Sequence, residues 1–249
     1  MMGETGDSRG RFVDFHSHIL PQIDDGSRDV NMSVAMLDML KAQGVGRVVA
    51  TPHFYPRRED PKGFLKRRAE AERILSEAMN KRTDISVISG AEVEAFSGMS
   101  RCEDVKNLCV SGTDLLLLEM PFGKWHESLI SEIFSLRYRF GITPVIAHVE
   151  RYLQYHNREA IDLLIEEDIA IQINSAGVEL AVKNKKTHKM ISEGRVLLGS
   201  DCHDLSDRAP DFAFSADFVE KKFGERTLDK IIAFSDELLR GAMSLSRNR

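Results

Sequence analysis

Seven short apolar runs, separated by stretches of helical character, constrain this chain more than any other feature. They fall at 12–15, 47–50, 85–88, 114–119, 142–147, 169–173 and 195–199. Strand-like runs alternating with amphipathic helices are the pattern of parallel β/α units. The run 114–119 is apolar on both faces, as a strand covered on both sides must be. The connecting helices have their own signals. Asp29 or Asn31 can cap a helix carrying Met32, Met36, Met39 and Leu40 at helical spacing, with Gly44 ending it. Pro61 opens a charged amphipathic helix over 61–82. Further helices are expected over 127–139, 159–167, 211–223 and 228–239. The expected fold class is therefore α/β: a single distorted TIM-like (β/α)7 barrel.

In such barrels the site lies at the C-terminal ends of the strands. Six of the seven runs lead there into a histidine or an acid: His16 and His18, His53, Glu92, Glu119, His148, and Asp201 with His203. In an extended strand side chains alternate, so His16 and His18 share a face and could grip one metal, with the Asp24-Asp25-Gly26 turn offering an oxygen ligand. Taken singly, each residue has a plain structural reading, such as a buried His bonded to a carbonyl or an acid capping a helix. Collected at one rim, uncompensated ionisable groups are costly unless something binds them, and metal ions are the obvious compensation.

The remaining totals narrow the class. At 249 residues one domain is the better prior, with 1–11 a polar, disordered leader and 12–249 a single barrel domain. The net charge of −5 provides no electrostatic footprint for nucleic acid or an anionic membrane. Three cysteines without a Cys-x-x-Cys pair suggest neither a disulfide framework nor a zinc knuckle, and fit a reducing cytoplasm. No apolar targeting segment precedes the first run, and the longest aliphatic stretch is Leu115 to Leu118, so membrane insertion is not expected.

The phrases His16-Ser17-His18-Ile19-Leu20-Pro21 through Asp24-Asp25-Gly26, Ala50-Thr51-Pro52-His53, Gly90-Ala91-Glu92, Ile146-Ala147-His148-Val149-Glu150-Arg151 and Ser200-Asp201-Cys202-His203 resemble the polymerase-and-histidinol-phosphatase (PHP) family. More narrowly, they resemble the bacterial manganese-dependent protein-tyrosine phosphatases of capsular and exopolysaccharide systems. The likeness spans about 12–239. It implies a seven-stranded barrel with three divalent metal ions at its rim, held by His16, His18, Asp25, His53, Glu92, Glu119, His148, Asp201 and His203. Glu119 would bridge two ions. Glu94 shares a face with Glu92, so the preference for Glu92 rests on the family's Gly-x-Glu alone. The resemblance also implies a phosphotyrosine protein substrate, with a tyrosine autokinase as partner.

Charge bears on the number of ions. Asp25, Glu92, Glu119 and Asp201 bring four negative charges, so two divalent ions leave the shell neutral and three leave it at +2, which attracts a phosphate dianion. Metals lower the pKa of bound water from about 15.7 to roughly 7, so a bridging hydroxide can attack phosphorus. Arg151, three residues past His148, is placed to grip phosphate oxygens bidentately. A nitrogen and oxygen shell without thiolate admits Mn, Fe, Co or Zn.

Arg57 and Arg58 follow His53 and could line the mouth, or equally form a solvated pair. Trp125 could wall the pocket, although core packing is the safer reading, and His126, His156 and His188 match no ligand position. Cys202 to Arg208 formally fits Cys-x5-Arg, the signature of thiolate phosphatases. Its loop lacks glycine and carries Asp204 and Asp207, which would repel the anion, so the match reads as chance. The tail 244–249 has no tyrosine cluster of its own. Three rivals remain: a small-molecule phosphatase such as histidinol phosphatase, a hydrolase of the amidohydrolase type, and a metal-bound regulatory scaffold without catalysis.

Overall fold

A computed structural model of the protein describes residues 10–80 and 82–241. The strands are β1 (Phe12–Ser17), β2 (Val45–Ala50), β3 (His53–Phe54), β4 (Ser86–Ser89), β5 (Glu92–Glu94), β6 (Leu115–Glu119), β7 (Thr143–Ile146), β8 (Ala170–Asn174) and β9 (Leu197–Gly199). The helices are α1 (Val30–Ala42), α2 (Pro61–Met79), α3 (Glu127–Phe140), α4 (Arg158–Glu166), α5 (Val178–Ala181), α6 (Lys185–Glu193), α7 (Phe212–Phe223) and α8 (Glu225–Leu239). Every strand pairing is parallel. The result is an α/β fold on a curled parallel sheet.

Each of the seven apolar runs contains a strand. Two short ones, β3 and β5, were not expected, because Pro52 and Gly90-Ala91 interrupt the pattern just before them. They continue the paths of β2 and β4 into a second sheet: β1-β2-β4 form one, and β3-β5-β6-β7-β8-β9 the other. His53 and Glu92 thereby sit side by side as paired residues rather than on separate loops.

The helices stop where local chemistry stops them. Asp29, not Asn31, caps α1, its Oδ1 accepting from the Met32 amide at 2.9 Å. Asp60 caps α2 through the Gly63 amide at 2.7 Å, with Pro61 supplying a preset φ at the first position. That helix ends at Met79, short of the expected Arg82, because Asn80 turns left-handed and Arg82 swings back to Asp38 and Asp84. Helix α6 was not expected; it is short, buries Thr187, Met190 and Ile191 at helical spacing, and is bounded by the Asn184 cap and the left-handed Gly194.

Of the expected leader, residues 1–9 lie outside the described residues, as do 242–249. Gly10 lies tight against β2, where a Cβ on Gly46 would lie 2.1 Å from its carbonyl oxygen, and the exposed Arg11 reaches Asp229 at 3.7 Å.

The sheet encloses an inner cluster of alternate strand residues, including Val13, Phe15, Val49, Leu117, Val145 and Leu197, joined by Phe234 and Leu238 of α8. A larger apolar layer fills the space between sheet and helices. At about 1.5–3 kcal/mol for each fully buried large apolar side chain, these layers are the main opposition to chain entropy.

The seam between β1 and β9 is held differently. The Asp201 amide donates to the His16 carbonyl at 2.7 Å, and the His18 amide to the Cys202 carbonyl at 2.9 Å. Below them the buried Asp14 carboxylate accepts from the Ser200 amide (2.8 Å), the Ser200 hydroxyl (2.6 Å) and the His16 amide (3.2 Å). The strands approach so closely that a Cβ on Gly199 would lie 2.7 Å from His16 Cβ and 2.8 Å from Gln172 Nε2. Gly199→Ala is therefore expected to destabilise the protein by about 1–3 kcal/mol through overpacking. A thermal melt checks this, and a transition unchanged from the parent would mean the seam can widen freely.

Candidate metal centre

Strand β1 carries one extra residue opposite β2: Asp14 pairs with Val48 and Ser17 with Ala50, three steps against two. Bulges of this kind re-aim side chains beside functional sites. Here Phe15 stays in the inner cluster while His16 and His18 bring their Nε2 atoms to 3.2 Å from each other. Glu92 Oε2 lies 3.2 Å from the first and 3.3 Å from the second, and Asp201 Oδ1 lies 3.5 and 3.4 Å from them. Donors 2.0–2.2 Å from a common ion are separated from one another by about 3–3.5 Å. The four atoms have the spacing of a coordination shell.

The protonation pattern leads to the same conclusion. Asn174 Nδ2 donates to Asp201 Oδ2 (2.8 Å), and Gln172 Nε2 donates to Asn174 Oδ1 (2.9 Å). Gln172 Oε1 accepts from the His148 amide at 2.7 Å, and must also accept from His16 Nδ1 at 3.1 Å. His18 Nδ1 donates to Asp24 Oδ2 at 2.7 Å, and His203 Nδ1 to the Asp201 carbonyl at 2.9 Å. With Nδ1 protonated, each neutral ring presents a bare Nε2 lone pair. Two such lone pairs 3.2 Å apart repel unless a proton or a cation lies between them.

The other residues complete a continuous rim. Four groups have donor atoms within 4.8 Å of one another: His18, Asp25, His53 and His203; His16, Glu92 and His148; His16, His18 and Asp201; and His53, Glu92 and Glu119. All nine residues expected to ligate metal are thus brought together, and Glu94 joins none of the groups. Among the buried side-chain atoms with no hydrogen-bond partner are His53 Nδ1, Glu92 Oε2, His148 Nδ1 and His203 Nε2. His53 Nδ1 is 3.0 Å from Glu92 Oε2, but at an angle that makes no hydrogen bond. Buried polar atoms left unpartnered are rare in native proteins, and a cluster of them around carboxylates suits cations. The residues fit a group of metal ions.

Electrostatics agrees. Burial pushes Glu119 up to about 7, with the neighbouring Glu92 charge adding to it. Burial opposes charge on His16 and His18, yet the surrounding carboxylates outweigh it and raise both above the usual imidazole value. Burial likewise opposes ionisation of Glu92 and Asp201, but His16 and its neighbours hold both well below the ordinary carboxylate range.

Without metal, then, protons on His16, His18 and Glu119 do the compensating. Loading a cation requires bare Nε2 and carboxylate oxygens, so those protons must leave. Since these pKa values are raised, the groups still hold protons near pH 6 and shed them as pH climbs through the raised values. Apparent metal affinity should rise over that interval, with proton release on binding. Calorimetric metal titration in two buffers of different ionisation enthalpy measures this, and equal heats would contradict it.

Two guanidinium groups flank the acids. Arg151, on the 3₁₀ helix Val149–Tyr155, places Nη2 2.6 Å from Asp201 Oδ2. Its preceding His148 and its partner Asp201 both adopt left-handed backbone, at φ 32° and 53°. Such strain in non-glycine residues persists where the surroundings over-determine it, often at sites. Arg208 Nη2 lies 3.1 Å from Asp201 Oδ1, and Nη1 3.8 Å from Asp25 Oδ2. Arg208 was missed as a site residue. Its loop folds back because the His203 amide donates to the Arg208 carbonyl (2.8 Å) and Asp204 accepts from the Ser206 amide (2.6 Å).

Gln172 and Asn174 also went unread, and Asp24 was read only as part of a ligand-bearing turn, not as the partner of His18. Arg57 is not brought to the site: it is exposed, and its neighbour Arg58 lines the cleft beside His53. Trp125 is a packing residue, donating to the Pro121 carbonyl (3.1 Å) and resting on Tyr152. His126, His156 and His188 are exposed and join none of the donor groups.

Cys202 is fully buried, and burial pushes its thiol well above the ordinary value, the opposite of an activated thiolate. Cys202→Ser should leave kcat/KM near that of the parent, read on the folded fraction, whereas complete loss would restore the thiolate reading.

A curled parallel sheet with histidine and carboxylate donors converging at its C-terminal rim defines an α/β protein with a candidate multi-metal centre. The chain belongs to the CpsB/CapC family of capsular polysaccharide synthesis, whose model matches residues 12–239. It is 27% identical over 234 residues to tyrosine-protein phosphatase CpsB of Streptococcus pneumoniae, covering 86% of this chain and 92% of that one. Identity to tyrosine-protein phosphatase YwqE of Bacillus subtilis (strain 168) is 27% over 238 residues, 91% of each chain. A solved structure from work on YwqE of B. subtilis and CpsB of S. pneumoniae, described as unique metal-dependent tyrosine phosphatases, superposes with a TM-score of 0.77 at 25% identity, covering 92% and 95%. The phosphotriesterase homology protein of Escherichia coli matches at a TM-score of 0.52 and 14% identity over 90% and 96%, a likeness of fold alone.

Proposed function

We propose that this protein is a metal-dependent phosphomonoesterase that removes phosphate from tyrosine in protein, working in the control of polysaccharide synthesis or export. The observation that carries the reading is the convergence of nine donors, with their unpartnered buried atoms, beside two guanidinium groups. Its names come from the family: the relatives are called tyrosine-protein phosphatases. We read the sheet as seven β/α units of one distorted barrel domain, and the site as holding three ions, preferably Mn, with Fe, Co or Zn as chemically admissible substitutes. Three unpaired cysteines agree with a cytoplasmic setting, and no helix among the described residues is long and apolar enough to cross a membrane. A tyrosine autokinase is the partner that such a substrate implies.

Bound ions would supply Lewis acidity for both the phosphate and the attacking water. Everything else falls to the chain. Gln172, Asp24 and the Asp201 carbonyl hold His16, His18 and His203 in the Nδ1–H form, keeping Nε2 free. Arg151 and Arg208 sit where they can turn from Asp201 to phosphate oxygens and stabilise the charge that spreads in the transition state. Phe122, 52% exposed, lies nearly parallel to the His148 ring at 6.1 Å and offers a wall for the phenyl group. A phenolate leaving group, with a reference pKa near 10, departs with little protonation, consistent with the absence of an assigned general acid.

The test is steady-state kinetics of Mn-reconstituted protein on a phosphotyrosine peptide and on histidinol phosphate, with and without chelator. Higher kcat/KM on the peptide, abolished by chelator, is the expected result. Preference for histidinol phosphate would overturn the substrate, and no metal-dependent turnover of either would overturn catalysis.

A further inference from the structure

Two hollows on the surface run outward from the metal rim and meet at Ile23 and Arg67. The first, about 250 Å³, opens on Asp25 and His53 and is walled by Tyr55 and Arg58. The second, about 450 Å³, lies between the β1–α1 loop and α2, with an apolar lining of Pro21, Ile23, Ala71 and Ile74 and with Lys66 at its edge. Arg67 ties the two together: Nη1 donates to the Ile23 carbonyl at 2.8 Å, and the guanidinium pairs with Glu59. The loop and the helix are therefore fixed relative to the metal centre, and the hollows form one bent track.

Its charge is unbalanced. The three acids outside the nine donors are already matched, Glu59 by Arg67, Glu70 by Arg73 and Asp24 by His18. Among the described residues, no carboxylate lies within ion-pair distance of the Lys66 ammonium or the Arg58 guanidinium; Arg58 instead rests over the Tyr55 ring at 4.4 Å. Tyr55 in turn stacks on His53 at 4.9 Å, so a single ring separates that cation from one of the candidate donors.

The geometry points to this track as the seat of the polypeptide flanking the phosphotyrosine, with acidic side chains meeting Arg58 and Lys66 and an apolar one settling on Ile23 and Ile74. The inference rests on the phosphotyrosine-protein reading above and adds which sequences around the tyrosine are favoured. An extended flank is required, because only a chain continuing from a phosphate at the rim reaches both hollows.

The test uses Mn-loaded protein with free phosphotyrosine as the internal reference, and phosphotyrosine peptides carrying either an acidic-apolar or a lysine-glycine flank, on either side of the tyrosine. Turnover and, separately, peptide binding by fluorescence anisotropy are measured for the parent and for Lys66→Glu and Arg58→Glu. In the parent, the acidic-apolar flank should raise kcat/KM over the basic flank by about tenfold, mostly through KM, and the preference should shrink as salt is raised. Each charge reversal should collapse or invert that ratio when both peptides are scaled to free phosphotyrosine. Equal kcat/KM for the two flanks, or a ratio untouched by both reversals, overturns the track. An acidic preference in binding without any turnover would support the track while overturning the catalytic reading, so the two failures are distinguishable.

Discussion

Glu92→Gln is expected to abolish phosphatase turnover, lowering kcat by at least about 10³-fold, the scale of losing charge stabilisation at a reacting centre. Its carboxylate is shared among four imidazoles. Glu92 Oε1 lies 2.7 Å from His148 Nε2, while Oε2 lies 3.2 Å from His16, 3.3 Å from His18 and 3.0 Å from His53. Glutamine keeps the volume and removes the charge that balances either the protons or the cations among these rings. One amide group must also present N–H donors to nitrogens that should face a metal. Metal content after gel filtration should fall together with kcat, while a melt of the chelated variant shows whether the fold survives. Full metal occupancy with parental kcat would remove Glu92 from the site.

Arg151→Ala is the second large effect. The guanidinium, about one-third exposed, touches only Asp201 among the acids of the described residues, so it can exchange that partner for phosphate without leaving its place. Loss of one charged donor aimed at a transferring phosphoryl group costs about 10²–10³-fold in rate. Arg151→Lys should recover only part of it, because an ammonium cannot reproduce the bidentate fork. Metal content should remain at the parental level in both variants, which separates a phosphate contact from a ligand-positioning role. Arg208 shares Asp201, so the double variant should lose less than the sum of the two single losses.

Much of this was legible in the chain. Parallel β/α order followed from alternating periods, and the rim donors followed from the strand ends, because both are local properties of short segments. His16 and His18 were placed together by simple alternation, although the strand that carries them is bulged rather than regular. Adjacent residues were harder to separate. Asp24 and Asp25 read alike in sequence, yet Asp24 is turned to the His18 ring and the His53 amide, while Asp25 faces His53 and His203. Arg57 and Arg58 are both exposed and differ by one step, yet it is Arg58 that lines the cleft.

The residues that went unread share one cause. Gln172 and Asn174 lie inside a strand pattern whose period records only which face is buried, while Gln172's partner His16 is 156 positions away and Asn174's partner Asp201 is 27 away. Arg208 depends on a loop that doubles back through a single aspartate. By itself, then, the sequence determined the main alternation of strands and helices and the rim on which ionisable groups gather, while the choice of nine candidate donors rested on the family resemblance. Only the tertiary structure decided which atom of each donor faces inward, which imidazole nitrogen carries the proton, and that Arg208 joins Arg151 beside them. Those choices depend on hydrogen bonds between distant segments, and no local period encodes them.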